Sequence, residues 1–469
     1  MSEHVTAKPD IINYKTVTTH NGRYRLRRIL PANVVSQTIN LQATATQLLE
    51  LKIPARTPFN LARTQIEYQL ELPAPGAGKF NWVHDHTVAE IESIKFGNGS
   101  GMDLVDLQYA SNYLAIARKL DTDYKDYVSH DATSALYMDN SDLDNLYPPS
   151  VTLPAVNAYG LPGVRRIDCV TNHEPVYVRA GKDNVATVVA RSIPLSAFTH
   201  TALAMDRDMM SGEELTIAIR VAGHEKLAYV SDDGLDPTAG IAGGLNTITP
   251  VASAKLTNIC LRLAVQVDPM VEAYVRQMFE SGHMKFIFPF QYGWKVTAPV
   301  GQIAFQHNLT NQFGKKLKRV LTTAFNATEQ YSTAFDTNNM DAVKLDLYQT
   351  AMDSQPLQDD KISCLQPIAG GARGMDDFRE NRHLMKGSVI DNSMAYYLNW
   401  FHCDSFSNPN RHSSIPEDNI LEGLDLTPGQ ARTWSFAGTG KIPLSFYTYA
   451  EFIRTVQFSP LGPTVITVE

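Results

Sequence analysis

The sequence predicts an all-β protein built as two β-rich domains in tandem. Three observations predict it. Stretches in which apolar and polar residues alternate recur in both halves, as half-buried strands require. Proline and glycine clusters punctuate them as turns, and neither half shows the regular βα alternation of a parallel sheet. The 469 residues, 43% of them hydrophobic, suffice for two ordinary cores.

The pivot between the halves is the stretch 251–300, which reads strand, helix, strand. Ile259, Leu261, Leu263, Val265 and Val267 occupy every odd position of the first strand. Asp268-Pro269 then supplies an N-cap and a proline at the first helical position. Met270, Tyr274 and Met278, with Val271 and Val275, recur at helical spacing, and Gly282 sits where a C-terminal cap belongs. Met284, Phe286, Phe288 and Phe290 mark a second strand. This unit is expected to close the first domain before the chain enters the second.

Residues 1–32 form a basic arm. Its segment 11–30 carries Lys15, Arg23, Arg25, Arg27 and Arg28 and no acid, with Tyr14 and Tyr24 interleaved. Such a segment suits contact with nucleic acid or an acidic partner. It equally suits a solvated strand lying on its own domain.

The first domain, 33–298, opens with strands around Leu49–Ile53 and Ile66–Leu72, followed by one over Thr87–Phe96. Leu107, Ala110, Leu114, Ala117 and Leu120 predict a helix over 103–120. From 121 to 183 the chain is rich in Asp, Asn, Pro, Tyr and Gly, a surface excursion too long for a simple connection. Strands resume at Val185–Ile193 and Leu215–Val221. In the second domain, 299–469, Ile303, Phe305, His307 and Leu309 alternate, and Leu317–Phe325 follows as a strand. A short helix or turn is expected around Ala342–Ala351, and a charged inserted loop over 366–392. Met394, Tyr396, Leu398, Trp400 and His402 alternate, and the C-terminal part is strongly β.

A formal charge of −8 argues against a general nucleic-acid-binding surface and leaves a local basic segment open. The four cysteines, Cys169, Cys260, Cys364 and Cys403, are dispersed and form no CxxC pair, so free thiols in a cytosolic setting are expected. The first ten residues lack a signal-peptide core, and no run approaches the roughly 20 apolar residues of a membrane span.

Catalytic motifs fail one by one. His84 and His86 share a strand face, but two ligands alone make a weak metal site. The acidic run from Asp139 lacks the glycine and final glutamate of a calcium loop. Phe436–Lys441 approximates a P-loop, yet Ser435 stands at the first glycine position and Ile442 follows the lysine. His402, Cys403 and Asp404 point to alternating sides of a strand, which is no nucleophile–base array. Asp359-Asp360 and Asp376-Asp377 sit in polar loops as solvated pairs. No catalytic residue, cofactor or metal is assigned.

The succession Leu261–Asp268, Met270–Gly282, Met284–Phe290 and Ile303-Ala-Phe-Gln-His-Asn308 resembles the junction of double jelly-roll major capsid proteins. Leu347–Thr350, Gln355–Asp360 and Met394–Phe406 are similar to capsid proteins of polinton-like viruses, adintoviruses and virophages. The resemblance covers 250–469 well and the first half in layout. It implies two antiparallel eight-stranded jelly rolls in tandem, with a few short helices and long inserted loops. It further implies a homotrimeric, pseudo-hexameric capsomer, an icosahedral shell around a DNA genome, and a place in the virion. Its implied partners are further copies of the chain, penton and minor capsid proteins, and genome DNA or an internal membrane. The last contact falls to the arm, through Lys15, Arg23, Arg25, Arg27 and Arg28. No small-molecule substrate is implied. The rival reading is a two-domain β-sandwich that binds or hydrolyses carbohydrate.

Overall fold

The computed structural model describes residues 23–34, 37–73, 79–82, 90–98, 103–114, 187–231, 249–310, 312, 314–327, 345–363, 401–406, 423–426 and 431–466. The first eight long strands are β1 (Tyr24–Ile29), β2 (Gln47–Ile53), β3 (Phe59–Leu72), β4 (Ile91–Gly97), β5 (Asp103–Gln108), β6 (Thr187–Pro194), β7 (Leu215–Val221) and β8 (Lys255–Gln266). They pair in the orders β1-β8-β3-β6 and β2-β7-β4-β5. That interleaving is the double Greek key of a jelly roll, in which two sheets bury their inner faces against each other. The alternation is legible in burial: Leu49, Leu51 and Ile53 face inward, while Leu48 and Lys52 do not.

Helix α1 (Pro269–Glu280) follows β8. The carboxylate of Asp268 accepts hydrogen bonds from the backbone N–H groups of Met270 and Val271, at 3.0 and 3.4 Å, so the expected N-cap is formed. Gly282 takes the left-handed conformation, φ 72°, that ends the helix. The buried stripe is Val271, Val275 and Phe279, whereas Met270 is 84% exposed.

The second roll repeats the first. Its strands are β9 (Lys285–Ala298), β10 (Gly301–Leu309), β11 (Lys316–Asn326), β12 (Leu345–Met352), β13 (Ile362–Ser363), β14 (Phe401–Ser405), β15 (Arg432–Gly440) and β16 (Leu444–Ser459). One sheet runs β9-β16-β11-β14. The other runs β10-β15-β12, with β13 and a short Gln355–Pro356 strand on the outer edge of β12. Each strand thus has the topological place of the one eight numbers earlier. A final strand, β17 (Gly462–Ile466), folds back on the end of β16.

These pairings redraw several expectations. β9, expected to close the first domain, pairs with β16 from Lys285↔Gln457 to Ala298↔Leu444, so it opens the second roll. The boundary therefore falls at α1, not at residue 298. The described part of the arm is β1, an edge strand of the first roll paired with β8. The predicted helix over 103–120 begins as strand β5, and only residues 110–114 of its described part are helical. The expected helix or turn near 342–351 is strand β12. Cys260 and Cys403 are buried and form no disulfide among the described residues; Cys169 and Cys364 lie outside them.

The alternating strand directions define two ends. β1 and β9 start at the base, where β8 and β16 finish. β5 and β13 finish at the opposite end, where β6 and β14 start, and 121–183 and 366–392 fall between them in sequence. Those two segments lie outside the described residues.

Candidate functional site

Three arrangements stand out: a seam that joins the two rolls, a buried polar cluster inside the second roll, and two charged sheet edges.

At the seam, β5 of the first roll lies parallel to β9 of the second, with Asp106 opposite Tyr292. Among the described residues, one ten-stranded sheet therefore runs through both rolls. Gly293 makes the approach possible, because a Cβ there would sit 3.1 Å from the carbonyl oxygen of Gln108. Arg454, on β16, donates through Nη1 to the carbonyl of Asp103 (2.7 Å) and through Nη2 to that of Gln312 (2.9 Å). Its guanidinium lies 3.4 Å above the Phe290 ring centre. Burial pushes its pKa down to about 10 against the opposing pull of Asp103 and Asp106. The Tyr449 hydroxyl donates to the carbonyl of Tyr109 (2.9 Å), and its ring meets Tyr113 edge-on at 5.1 Å. Gly212, before β7, lies so close to the β16–β17 turn that a Cβ would come 2.0 Å from the carbonyl oxygen of Pro460.

A charged core backs this seam. Glu451 on β16 accepts from Arg319 Nε on β11 at 2.6 Å, with both side chains buried. His200 of the first roll places Nδ1 3.7 Å from the same carboxylate. Burial alone would raise the Glu451 pKa. The charges of Arg319, His200 and Lys318 outweigh it and hold the carboxyl at about 2.

Inside the second roll, His402 and Asp404 share a strand face and bond to each other, Nε2 to Oδ1, at 2.9 Å. Asp404 also accepts from Trp434 Nε1 (2.7 Å), Thr350 Oγ1 (3.0 Å) and Gln358 Nε2 (3.1 Å). Tyr348 Oη lies 3.1 Å from His402 Nδ1. Burial favours the neutral acid, but His402, Trp434 and Thr350 hold the carboxylate below its usual range. Cys403 points to the other side and is buried. The cluster is buried and ties the two sheets together: β14 lies in one sheet and β12 and β15 in the other. Thr350→Val, which removes one donor to Asp404 at constant shape, should cost about 2 kcal/mol in a denaturant titration.

Beside it, His307 of β10 stacks on Trp294 (centroids 4.5 Å, planes 10° apart), and the Trp434 ring lies nearly parallel to it at 5.9 Å. His307 Nε2 is buried without a hydrogen-bond partner among the described residues. Burial lowers its pKa to about 4.

Of the basic residues expected to form the arm's contact, Arg23, Arg25, Arg27 and Arg28 are exposed along β1. None of them makes an ion pair with a described residue. Lys15 lies outside the described residues, as do His84, His86, Asp139, Asp376 and Asp377. Asp359 and Asp360 are exposed in the turn before β13. Lys441, the P-loop-like lysine, pairs instead with Asp346 at 3.2 Å beside the β15–β16 turn.

No protein-family model matches this sequence, and no curated protein does. Solved structures do match. The Faustovirus major capsid protein aligns with a TM-score of 0.51 at 8% identity, over 93% of this chain and 90% of that one. A chain of the Sputnik virophage structure solved by cryo-EM aligns with a TM-score of 0.51 at 9% identity, over 96% and 91%. The chain has the fold of the double jelly-roll major capsid proteins. In double jelly-roll terms, β5 and β9 are the neighbouring edge strands of the two rolls, and the base is the end where each roll's first strand begins.

Proposed function

We propose that this chain is a viral major capsid protein. Three copies close into a pseudo-hexameric capsomer, and capsomers tile an icosahedral shell around a DNA genome. The carrying observation is that two jelly rolls of the same topology are joined side by side through a buried, hydrogen-bonded seam. Two such units per chain are two sixths of a hexagon, and closed threefold symmetry satisfies every copy's interface. In this reading the excursions 121–183 and 366–392 project outward, away from the base. Lys15, Arg23, Arg25, Arg27 and Arg28 then serve contact with the genome, an internal membrane or minor capsid proteins. The chain then resides in the virion, with penton and minor capsid proteins as further partners.

Light scattering across a size-exclusion peak tests this. The chain mass is 52.0 kDa, so the expected value is three times that, 156 kDa. A concentration-independent 52.0 kDa species that binds or cleaves a glycan would favour the carbohydrate reading instead.

A further inference from the structure

The seam holds a titratable contact that spans the two rolls. After β6 the first roll makes a short loop, 195–204, whose turn Ala202–Ala204 lies against both β5 and β9. Hydrogen bonds pin this loop on either side of His200. The Tyr113 hydroxyl donates to the carbonyl of Thr199 at 2.8 Å. Thr201 Oγ1 donates to the carbonyl of Phe198 at 2.6 Å and accepts from the N–H of Leu203 at 3.3 Å. Phe198 and Leu203 are buried. His200 itself takes the left-handed conformation, φ 55°, which is uncommon for a residue with a Cβ. From there its ring reaches across the seam, with Nδ1 3.7 Å from Glu451 Oε1 on β16.

The two partners differ in their access to water. The His200 side chain is 27% exposed and can take up a proton, whereas that of Glu451 is 2% exposed. The other carboxylate oxygen, Oε2, is taken by Arg319 Nε at 2.6 Å. The groups around the contact are Glu451, Arg319 and Lys318 of β11, the phenols of Tyr113 and Tyr449, and Gln291 of β9, which sits opposite Glu451 in register. Gln291 carries no charge. Burial pushes the Tyr449 phenol far above its ordinary value, so it stays protonated. Arg319 and Lys318 oppose a further cation, but Arg319 is already neutralised by the same carboxylate, and Oε1 is the charge presented to His200.

We propose that His200 is a proton-operated latch between the rolls: protonation of its ring ties the loop 195–204 of the first roll to Glu451 of the second. The sign follows from charge. The imidazolium is attracted to the carboxylate only while the loop is docked, so protonation favours the docked loop. The latch closes as pH falls and slackens as pH rises. Its direction is opposite to that of His307, whose burial makes the interior of the second roll weaker in acid. Acid thus loosens the inside of the second roll while fastening that roll to the first. The latch belongs to the single chain and stands independently of the capsomer reading.

Hydrogen exchange, read peptide by peptide and corrected for intrinsic rates, tests the latch between about pH 5.5 and about pH 7.5, the range across which an imidazole titrates. In the wild type, protection of 195–204 should rise on the order of fivefold at the lower pH. His200→Gln removes the charge and should abolish most of that rise. His200→Lys carries a lasting charge, so at the higher pH its loop should be better protected than that of H200Q. Both variants keep His307, whose effect cancels in the comparison. A merely structural role for the ring would change protection equally at both pH values. An equal rise in the wild type and H200Q, or an H200K loop no better protected than the H200Q loop at the higher pH, would overturn the latch. Should circular dichroism show H200K unfolded, the comparison of the wild type with H200Q decides alone.

Discussion

Glu451→Gln should destabilise the folded chain by about 3–5 kcal/mol, measured by denaturant titration at neutral pH. The substitution leaves Arg319, 5% exposed, as a buried cation without its counter-charge. Desolvating that guanidinium was offset by a 2.6 Å charge-assisted hydrogen bond, and an amide oxygen is a weaker acceptor of it. His200 of the first roll loses its carboxylate at the same time, so the damage reaches the seam. Removing both charges is a different experiment. Arg319→Met with Glu451→Leu eliminates the desolvation cost along with the attraction, and its stability should return to within about 2 kcal/mol of the wild type. If the single substitution is as mild as the double, the pair is not the buried charge centre described here.

The second large effect is acid lability of the second roll. His307 has a folded pKa depressed to about 4, against an ordinary value of 6.5, because burial beside the Trp294 and Trp434 rings penalises the charged imidazole. In the window between those values the unfolded chain binds a proton that the folded chain resists. The sign follows: this group's contribution to stability is complete above pH 6.5 and is lost as pH falls toward 4. The full loss is about 3 kcal/mol, and about 2 kcal/mol of it is expected by pH 5. Glu451 acts in a lower window, because its depressed pKa of about 2 yields stability that is lost only as pH falls below its ordinary 4.5. The two groups therefore separate on a pH axis. His307→Phe keeps an aromatic ring in the stack and removes the proton. Thermal melts should find the variant close to the wild type at pH 7.5 and several degrees more stable at pH 5. Identical pH profiles for the two proteins would remove His307 as the acid-sensitive group.

What was legible in the sequence was local. Asp268-Pro269 and Gly282 fix the ends of α1 within a few residues, and the period of two survives folding over Met284–Phe290 and, in β8, as far as Leu263. Beyond it, a register shift against β3 between Arg262 and Ala264 reverses the alternation: Ala264 and Gln266 are buried, while Val265 is half-buried and Val267 is 43% exposed. The misreadings arose where one set of residues satisfies two periods. Leu107, Ala110 and Leu114 have helical spacing, yet Val105 and Leu107 are inward positions of β5, and the chain turns at Tyr109. In β12 the inward set is Leu345, Tyr348, Thr350 and Met352, with Thr350 polar and Leu347 turned outward, so hydrophobicity alone misplaces the face.

The boundary and the candidate sites were non-local. β9 finds its partner β16 at the far end of the chain, and nothing near residue 298 announces it. Arg319 and Glu451 are 132 residues apart, and Trp434 reaches Asp404 across 30 residues. One signal was available: His402 and Asp404 are two apart in an alternating strand, which puts them on one face. The basicity of Arg23–Arg28 was visible, but whether it belonged to a loose arm or to a sheet edge depended on β8, more than 230 residues on.

Negative-stain electron microscopy of the purified protein tests the central claim most directly. The account predicts uniform particles with a hexagonal outline and threefold symmetry, each lobe the size of one jelly roll. Two-lobed single chains that stay separate at every concentration would contradict it.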